Sequence, residues 1–510
     1  MAAAAAAVVV AAAGDACFEV LDALGLCRLT RRTGDLDGAV PLRVAKACVP
    51  LLEGNAFGLQ ITLARPIEVQ RRLGSLRAEP AGEHREALLR AHRAALPRLV
   101  TQGFLAPEGA WHRALRGGIA WTCRTGLGPP RLRLWTGLLV RPDPGLWLRV
   151  AGAANRRNVL IEVSEAYLAD DGAFVPLVVE LRVRDEAPRV LRLEGEIGCV
   201  APVLPDVQID ACALADAPEV GRAHAAFYDA RYFAVKKGEV TRKYRRLVGG
   251  KARAGEGRAR AGGAAEGSVE EGSAARGSAE EGSAGAKRAG PARARLVVAG
   301  PGAPEIDEVT EVTTAAGPDP VPWRGGARRL QSIVVRNAVP FRATFDGHTL
   351  AVAPEAPRLA EGAAAVERTF ARVFGEDFVA ANRGALWYLT KYFTPHPPGE
   401  PHFFVKPWAF TTTPPGWSSL LEGIHGEGYD VMRGVVATDV FFATPAVFHV
   451  RRIGAAIEVP EGAPLLRILP IPRDLLRAGF REARFLDGGA GTGGGENLNH
   501  RGTEGTEEER

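Results

Sequence analysis

Two hydroxyl–carboxylate dipeptides, Ser164-Glu165 in NVLIEVSEAYL and Thr438-Asp439 in RGVVATDVFF, carry the side chains best suited to acid–base chemistry. A carboxylate set among β-branched and aromatic residues is either solvated on the outer face of its strand or drawn into a polar cavity. In the cavity its burial is costly unless paired, and the cost moves its pKa toward the range of a working acid or base. Neighbouring strand residues point to opposite faces, so each dipeptide turns one member inward and one outward. Glu165 and Asp439 are therefore the candidate catalytic residues, with Ser164 and Thr438 as candidate ligand-binding hydroxyls. Packing of two halves about a pseudo-two-fold axis would bring Glu165 and Asp439 toward one another.

Histidines form the second set. His396 and His402 lie in YFTPHPPGEPHFFVKPW, with His425 and His449 downstream. Two imidazoles and a carboxylate suit iron or zinc, so His396 and His402 are the candidate metal ligands, with Asp439 completing a metal-assisted or acid–base site. The segment between them, PPGEP, imposes no helix or strand period, and ordinary loop histidines are the competing reading. No nucleotide-cofactor motif accompanies them: the chain lacks GxGxxG opening a helix, a Walker loop, HExxH and a GxSxG elbow. A divalent metal is the one cofactor for which the sequence offers ligands.

The elements that must position these residues announce themselves by turns. RPDPGLWLRV (141–150) and TTTPPGWSSL (411–420) each place Pro-Gly before a Trp at the head of an extended run. Proline fixes φ and glycine admits the left-handed turn conformation, so each pair should launch a strand. Trp147 and Trp417 then become aromatic anchors and Asn55 a polar one, lining a cavity for a small molecule or peptide. LEGIHGEGYDVM (421–432) reads as a mobile lip.

Composition divides the chain further. Residues 249–295 repeat EGS units without aromatics, and the tail 487–510 is rich in Gly and Glu; neither can bury enough apolar surface to order itself. Residues 1–14 form an Ala-rich terminus. Two bodies remain, 15–248 and 296–486, and landmarks recur in the same order in both. Asn55-Ala56 matches Asn337-Ala338, the helical stretch 83–100 matches 363–380, and GIAW (118–121) matches GALW (384–387). Pro129-Pro130 then matches Pro397-Pro398, Trp135 matches Trp408, Pro144-Gly145 matches Pro415-Gly416, SEAYL (164–168) matches TDVFF (438–442), and Glu194-Gly195 matches Glu461-Gly462. This order points to tandem duplication of a module of roughly 200 residues. Each module reads as one principal helix with apolar residues at 3–4 spacing plus many short alternating strands. The fold class expected is α+β, mostly β: two internally duplicated antiparallel β sandwich or barrel modules.

The bulk properties bound the function. The chain has 510 residues, and 64 basic side chains nearly balance 59 acidic ones for a net charge of +5, so its surface as a whole does not track nucleic acid. Only the run 232–253, with Tyr232, Phe233 and Tyr244 among basic residues, suits weak phosphate contact, and a solvated helix end is the competing reading. Cys17, Cys27, Cys48, Cys123, Cys199 and Cys212 show no metal-ligand spacing and read as reduced thiols of a cytoplasmic protein. The opening 13-residue apolar run lacks a basic flank and is too short to span a bilayer, and no longer apolar run follows.

The second body resembles an uncharacterised bacterial family, a domain of unknown function, with a PPGW turn, a strand of the E-G-x-V-x-T-D kind and a closing strand after E/K-G-x-P. Here these are Pro414-Pro415-Gly416-Trp417, Arg433-Gly434-Val435-Val436-Ala437-Thr438-Asp439 and Glu461-Gly462-Ala463-Pro464. LLEGNAFGLQI (51–61) resembles the same family's N-terminal element. Arg433 stands where an acid is usual. The order is loosely similar to the β-clip of dUTPase and dCTP deaminase, without their nucleotide-binding serine motif, so the resemblance implies a fold and no reaction. A cavity-binding protein is the function expected, with the enzyme outlined above and an assembly scaffold as alternatives.

Overall fold

The computed structural model describes residues 16–31, 48–72, 75–82, 84–123, 130–153, 155, 160–184, 187–228, 244, 292–302, 304–309, 311–322, 329–395 and 401–483. His396, Pro129 and Pro397-Pro398, the stretches 1–14 and 487–510, and nearly all of 232–253 and 249–295 lie outside them.

The first half runs β1 (Phe18–Asp22), β2 (Cys27–Arg31), α1 (Val49–Ala56), β3 (Leu59–Arg72), β4 (Ser75–Pro80), α2 (His84–Thr101), α3 (Ala110–Arg116), β5 (Ala120–Cys123) and β6 (Arg131–Pro142). It continues β7 (Trp147–Ala151), β8 (Ile161–Val163), β9 (Ala166–Leu168), β10 (Val175–Val183), β11 (Val190–Val203), β12 (Gln208–Ala213) and α4 (Pro218–Phe227). The apolar run RLRLWTGLLVRP makes β6 a strand covered on both faces. In α2, Leu88, His92, Ala95, Leu96 and Leu99 are buried at 3–4 spacing, the stripe expected of a helix laid on a sheet.

The second half runs β13 (Arg293–Val298), β14 (Glu305–Val309), β15 (Glu311–Thr314), β16 (Gly317–Pro322), β17 (Leu330–Arg336), β18 (Phe341–Phe345), β19 (Leu350–Pro354), α5 (Ala356–Phe374), α6 (Glu376–Ala381) and α7 (Arg383–Thr390). It ends with β20 (Phe393–Pro395), β21 (His402–Val405), β22 (Ala409–Thr412), β23 (Trp417–Gly423), β24 (Tyr429–Val431), β25 (Gly434–Val436), β26 (Ala446–Val450), β27 (Ala456–Val459), β28 (Pro464–Pro472) and β29 (Arg481–Ala483). The chain is mostly β, with α2 and α5 as the longest helix of each half.

The halves repeat one strand order. One antiparallel run is β9-β7-β11-β3-β2 in the first half and β25-β23-β28-β17-β14 in the second. Another is β5-β6-β10-β8 and β20-β21-β26-β24. The long strands β3 and β11 shift register near Gly195. Their second-half counterparts break there into β17 with β18 and β27 with β28. Asn337 closes that break: it is buried, and its side-chain amide donates to the carbonyls of Val459 and Pro460, both at 3.1 Å.

Some sequence matches fall elsewhere in this frame. Asn55 lies in α1, not at the strand break that holds Asn337. Residues 118–121 lead into a strand, whereas 384–387 are helical, because local apolar pattern alone does not separate a short strand from a short helix. The strand pairs are mostly antiparallel, as expected, and three are parallel: β29 with β1, β12 with β13, and β15 with β9. Residues 293–295, read from sequence as the end of the linker, begin β13, and residues 208–228, placed in the first body, join the core of the second.

Candidate functional site

Thr438-Asp439 sits in the turn after β25 rather than on the strand itself. The Pro415-Gly416 turn lies beside it: Gly416 has φ +83° and donates its N–H to Asp439 Oδ2 at 3.1 Å, while Arg473 donates to Oδ1. The Asp439 side chain is 2% exposed, so it is neither solvated nor aimed into an open cavity; a guanidinium and an amide hold it. Arg473 also donates to the Trp417 carbonyl at 2.9 Å. Thr438 is fully buried and joins a hydroxyl chain, with Thr413 and Ser419 each 2.8 Å from its Oγ1. Glu53 of α1 approaches Arg473 from the other half. Burial lifts its pKa to about 7, against the pull of that guanidinium.

Glu165 belongs to a different cluster, a chain of charges crossing between the halves. Arg149, 4% exposed on β7, donates to Glu165 at 2.6 Å and to Glu422 of β23 at 2.7 Å. Glu422 also pairs with buried Arg433 at 2.9 Å. Arg467 lies 3.9 Å from Glu165 and 3.1 Å from Asp307, and Tyr167 donates its hydroxyl to Glu165. Burial would raise the Glu165 pKa, but Arg149, then Arg467, hold it down at about 2. Burial likewise opposes the charge on Arg149, and Glu165 and Glu422 overcome it. Fully paired carboxylates of this kind are structural ions. Among the described residues no hydrogen bond or ion pair joins Glu165 to Asp439, which answer to different arginines.

The remaining candidates disperse as well. Ser164 accepts a hydrogen bond from Arg131 at 2.9 Å, beside the Arg131–Glu180 pair. Trp147 is fully buried in the first core and Trp417 is half-buried at the turn, so the two do not face a common cavity. Asn55 borders a closed niche, with Phe57, Glu196 and Cys199, that has no room for a water-sized occupant. Residues 421–432 form the end of β23, a connecting turn at 424–428 and then β24. His402 is fully buried and its Nε2 stands 2.8 Å from His449 Nδ1 across the β21–β26 pair. No cluster of three or more metal-ligating side chains occurs among the described residues, and the other candidate ligand, His396, lies outside them.

A concavity that sequence reasoning passed over lies at the far end of β3 and β4. A groove of about 940 Å³ is lined by Gln70, Arg71, Arg72, Ser75, Arg189 and Val190. Pairing of β11 with β3 brings Arg189 there, its carbonyl accepting the Arg71 N–H at 2.9 Å. The Arg71 guanidinium donates to the Arg184 carbonyl at 3.1 Å. Arg72 and Arg189 are exposed and have no carboxylate partner among the described residues. Guanidiniums so placed suit the planar, multi-oxygen geometry of phosphate and carboxylate. The local signal was the doubled arginine in VQRRLGS, but Arg189 lies more than a hundred residues away in sequence and only strand pairing adds it.

No protein-family model, curated protein or solved structure matches the chain. No described helix is long and apolar enough to cross a membrane.

Proposed function

We propose that the protein binds a small, multiply charged anion, phosphorylated or polycarboxylate, in the Arg71–Arg72–Arg189 groove. The observation that carries this reading is the pair of exposed guanidiniums, Arg72 and Arg189, which have no carboxylate partner among the described residues and lie beside Arg71 on one concave surface. Cavity binding, expected from sequence around Trp147, Trp417, Asp439 and Glu165, moves to this site because those residues are taken up by internal packing and pairing.

Calorimetry with pyrophosphate and with citrate tests the reading and separates the two chemistries. Binding by either, weakened about tenfold or more in Arg72→Ala/Arg189→Ala, supports it, since losing two charge-assisted contacts is worth at least that factor. Absence of binding by both, or unchanged affinity in the double variant, overturns it.

The repeated strand order supports a second proposal, that the halves are tandem copies of one module. The resemblance to the uncharacterised bacterial family stays a proposal about fold. A cytoplasmic location is proposed on the six cysteines, all of them free thiols.

A further inference from the structure

The strand that follows each half's last sheet strand leaves its own half. After β11 the chain enters β12, which pairs in parallel with β13, the first strand of the second half, over six residues from Gln208↔Arg293 to Ala213↔Val298. After β28 it enters β29, which pairs in parallel with β1, the first strand of the first half, at Glu19↔Arg481, Val20↔Glu482 and Leu21↔Ala483. The receiving strands are alike too: β1 is antiparallel to the end of β6, and β13 antiparallel to β22.

The cores follow the strands. Ile209, Leu214, Val220 and Phe227, trailing the first half, are buried in the second core. Leu475, a member of the first core, and Phe480, packed against that core, trail the second half. Polar contacts seal both seams. Cys17 donates its thiol to the Gly479 carbonyl at 3.1 Å, and Arg31 donates to the Arg477 carbonyl at 2.8 Å. On the other side Asp206 and Arg329 exchange two hydrogen bonds, at 2.7 and 3.0 Å. The connection between β2 and β3 crosses over as well: α1 packs so closely on β25 that a Cβ on Gly54 would stand 2.5 Å from the Gly434 Cα. In the second half the corresponding connection carries β15, which reaches β9.

We propose that the chain is a covalently tethered dimer of modules, in which the partner that each half's open first-strand edge fits is the trailing strand of the other half. Neither half completes its own sheet, so the two form one obligate unit. A bare β edge is an unsatisfied row of backbone donors and acceptors, and reciprocal donation closes two such edges at once.

A protease site inserted between Gly262 and Gly263 of the full chain allows the folded protein to be nicked. The two fragments should co-elute at the volume of the intact chain and unfold in one transition. The same nick is then made in a chain ending at Arg477, which lacks β29, and in Ile209→Asp, which places a charge in the seam at β12, each first shown by circular dichroism to be folded before cleavage. Fragment affinity in at least one should fall about tenfold or more. Separation of the fragments on nicking of the unaltered chain overturns the proposal. Affinity unchanged within about twofold in both variants also overturns it, since other contacts would then hold the halves.

Discussion

The two Pro-Gly turns perform the same task with different surroundings. In the first half Asp170 accepts the Gly145 N–H on Oδ2 at 2.9 Å and the Gly172 N–H on Oδ1 at 3.1 Å. In the second half Asp439 accepts the Gly416 N–H on Oδ2 at 3.1 Å, but its Oδ1 receives Arg473. Both glycines have positive φ, +90° and +83°, and both turns lead directly into a strand. The shared oxygen is a backbone device; the other oxygen is where the halves part. In the first half that oxygen accepts a second nearby amide, and in the second it accepts from a cation that Glu53 approaches from the opposite half.

Removing each carboxylate should separate these roles. Asp439→Ala strands a partly buried guanidinium as well as an amide and is expected to cost about 2–4 kcal/mol, against about 1–2 kcal/mol for Asp170→Ala. Urea denaturation of the two variants measures the difference, and equal losses would show that Arg473 contributes nothing through Asp439. Adding Arg473→Met to Asp439→Ala should return roughly 1–3 kcal/mol, because the stranded charge goes with it; a further loss instead would place the value of Arg473 in its bond to the Trp417 carbonyl.

Gly145→Ala and Gly416→Ala should each cost about 1–2 kcal/mol and agree with one another. A Cβ at either position meets nothing within 4 Å, so the cost is conformational alone. Thermal unfolding of both variants checks this, and a marked inequality would break the equivalence of the turns.

The smallest expected effect is one of pH. Glu53 has a folded pKa of about 7, above the ordinary carboxyl value of about 4.3, so the folded state holds a proton that the unfolded state releases. The sign follows: this group's contribution is fully present below about pH 4.3 and is lost as pH rises through about 7. Glu53→Gln should therefore raise the unfolding midpoint at pH 8 while changing it little at pH 4.5. Glu165, held at about 2, works in the opposite direction and loses its contribution as pH falls below about 4. Midpoints for Glu53→Gln that run parallel to those of the parent across this range would remove Glu53 from the account.

Much of the fold was legible from local pattern. Alternating runs such as LWLRV and FVPLVVELRV hold strands, and the 3–4 apolar spacing read over 83–100 corresponds to the helix His84–Thr101, because burial of one face leaves its period in the sequence. The candidate site was legible only in part. Ser164-Glu165 and Thr438-Asp439 look alike as residue types, yet they fall in different places: the carboxylate that answers Asp439 is Asp170, five residues beyond Glu165. The informative spacing ran from the turn glycine to its acceptor, 25 residues in one half and 23 in the other. Arg149 left a trace as the one charge in an otherwise apolar strand, but nothing local names Glu422 as its partner.

By itself the sequence determined the mostly β class, the turns at Pro144-Gly145 and Pro415-Gly416, and the principal helices, since each rests on φ restriction or on a periodicity within a few residues. Tertiary structure alone decided which edges close on which strands, that Asp439 and Glu165 become structural ions, and that three arginines share a groove. The reason is separation: Cys17 and Gly479 are 462 residues apart, and Arg149 and Glu422 are 273. A contact across such distances depends on which edge and which charge the rest of the fold leaves unsatisfied, and no local pattern records that.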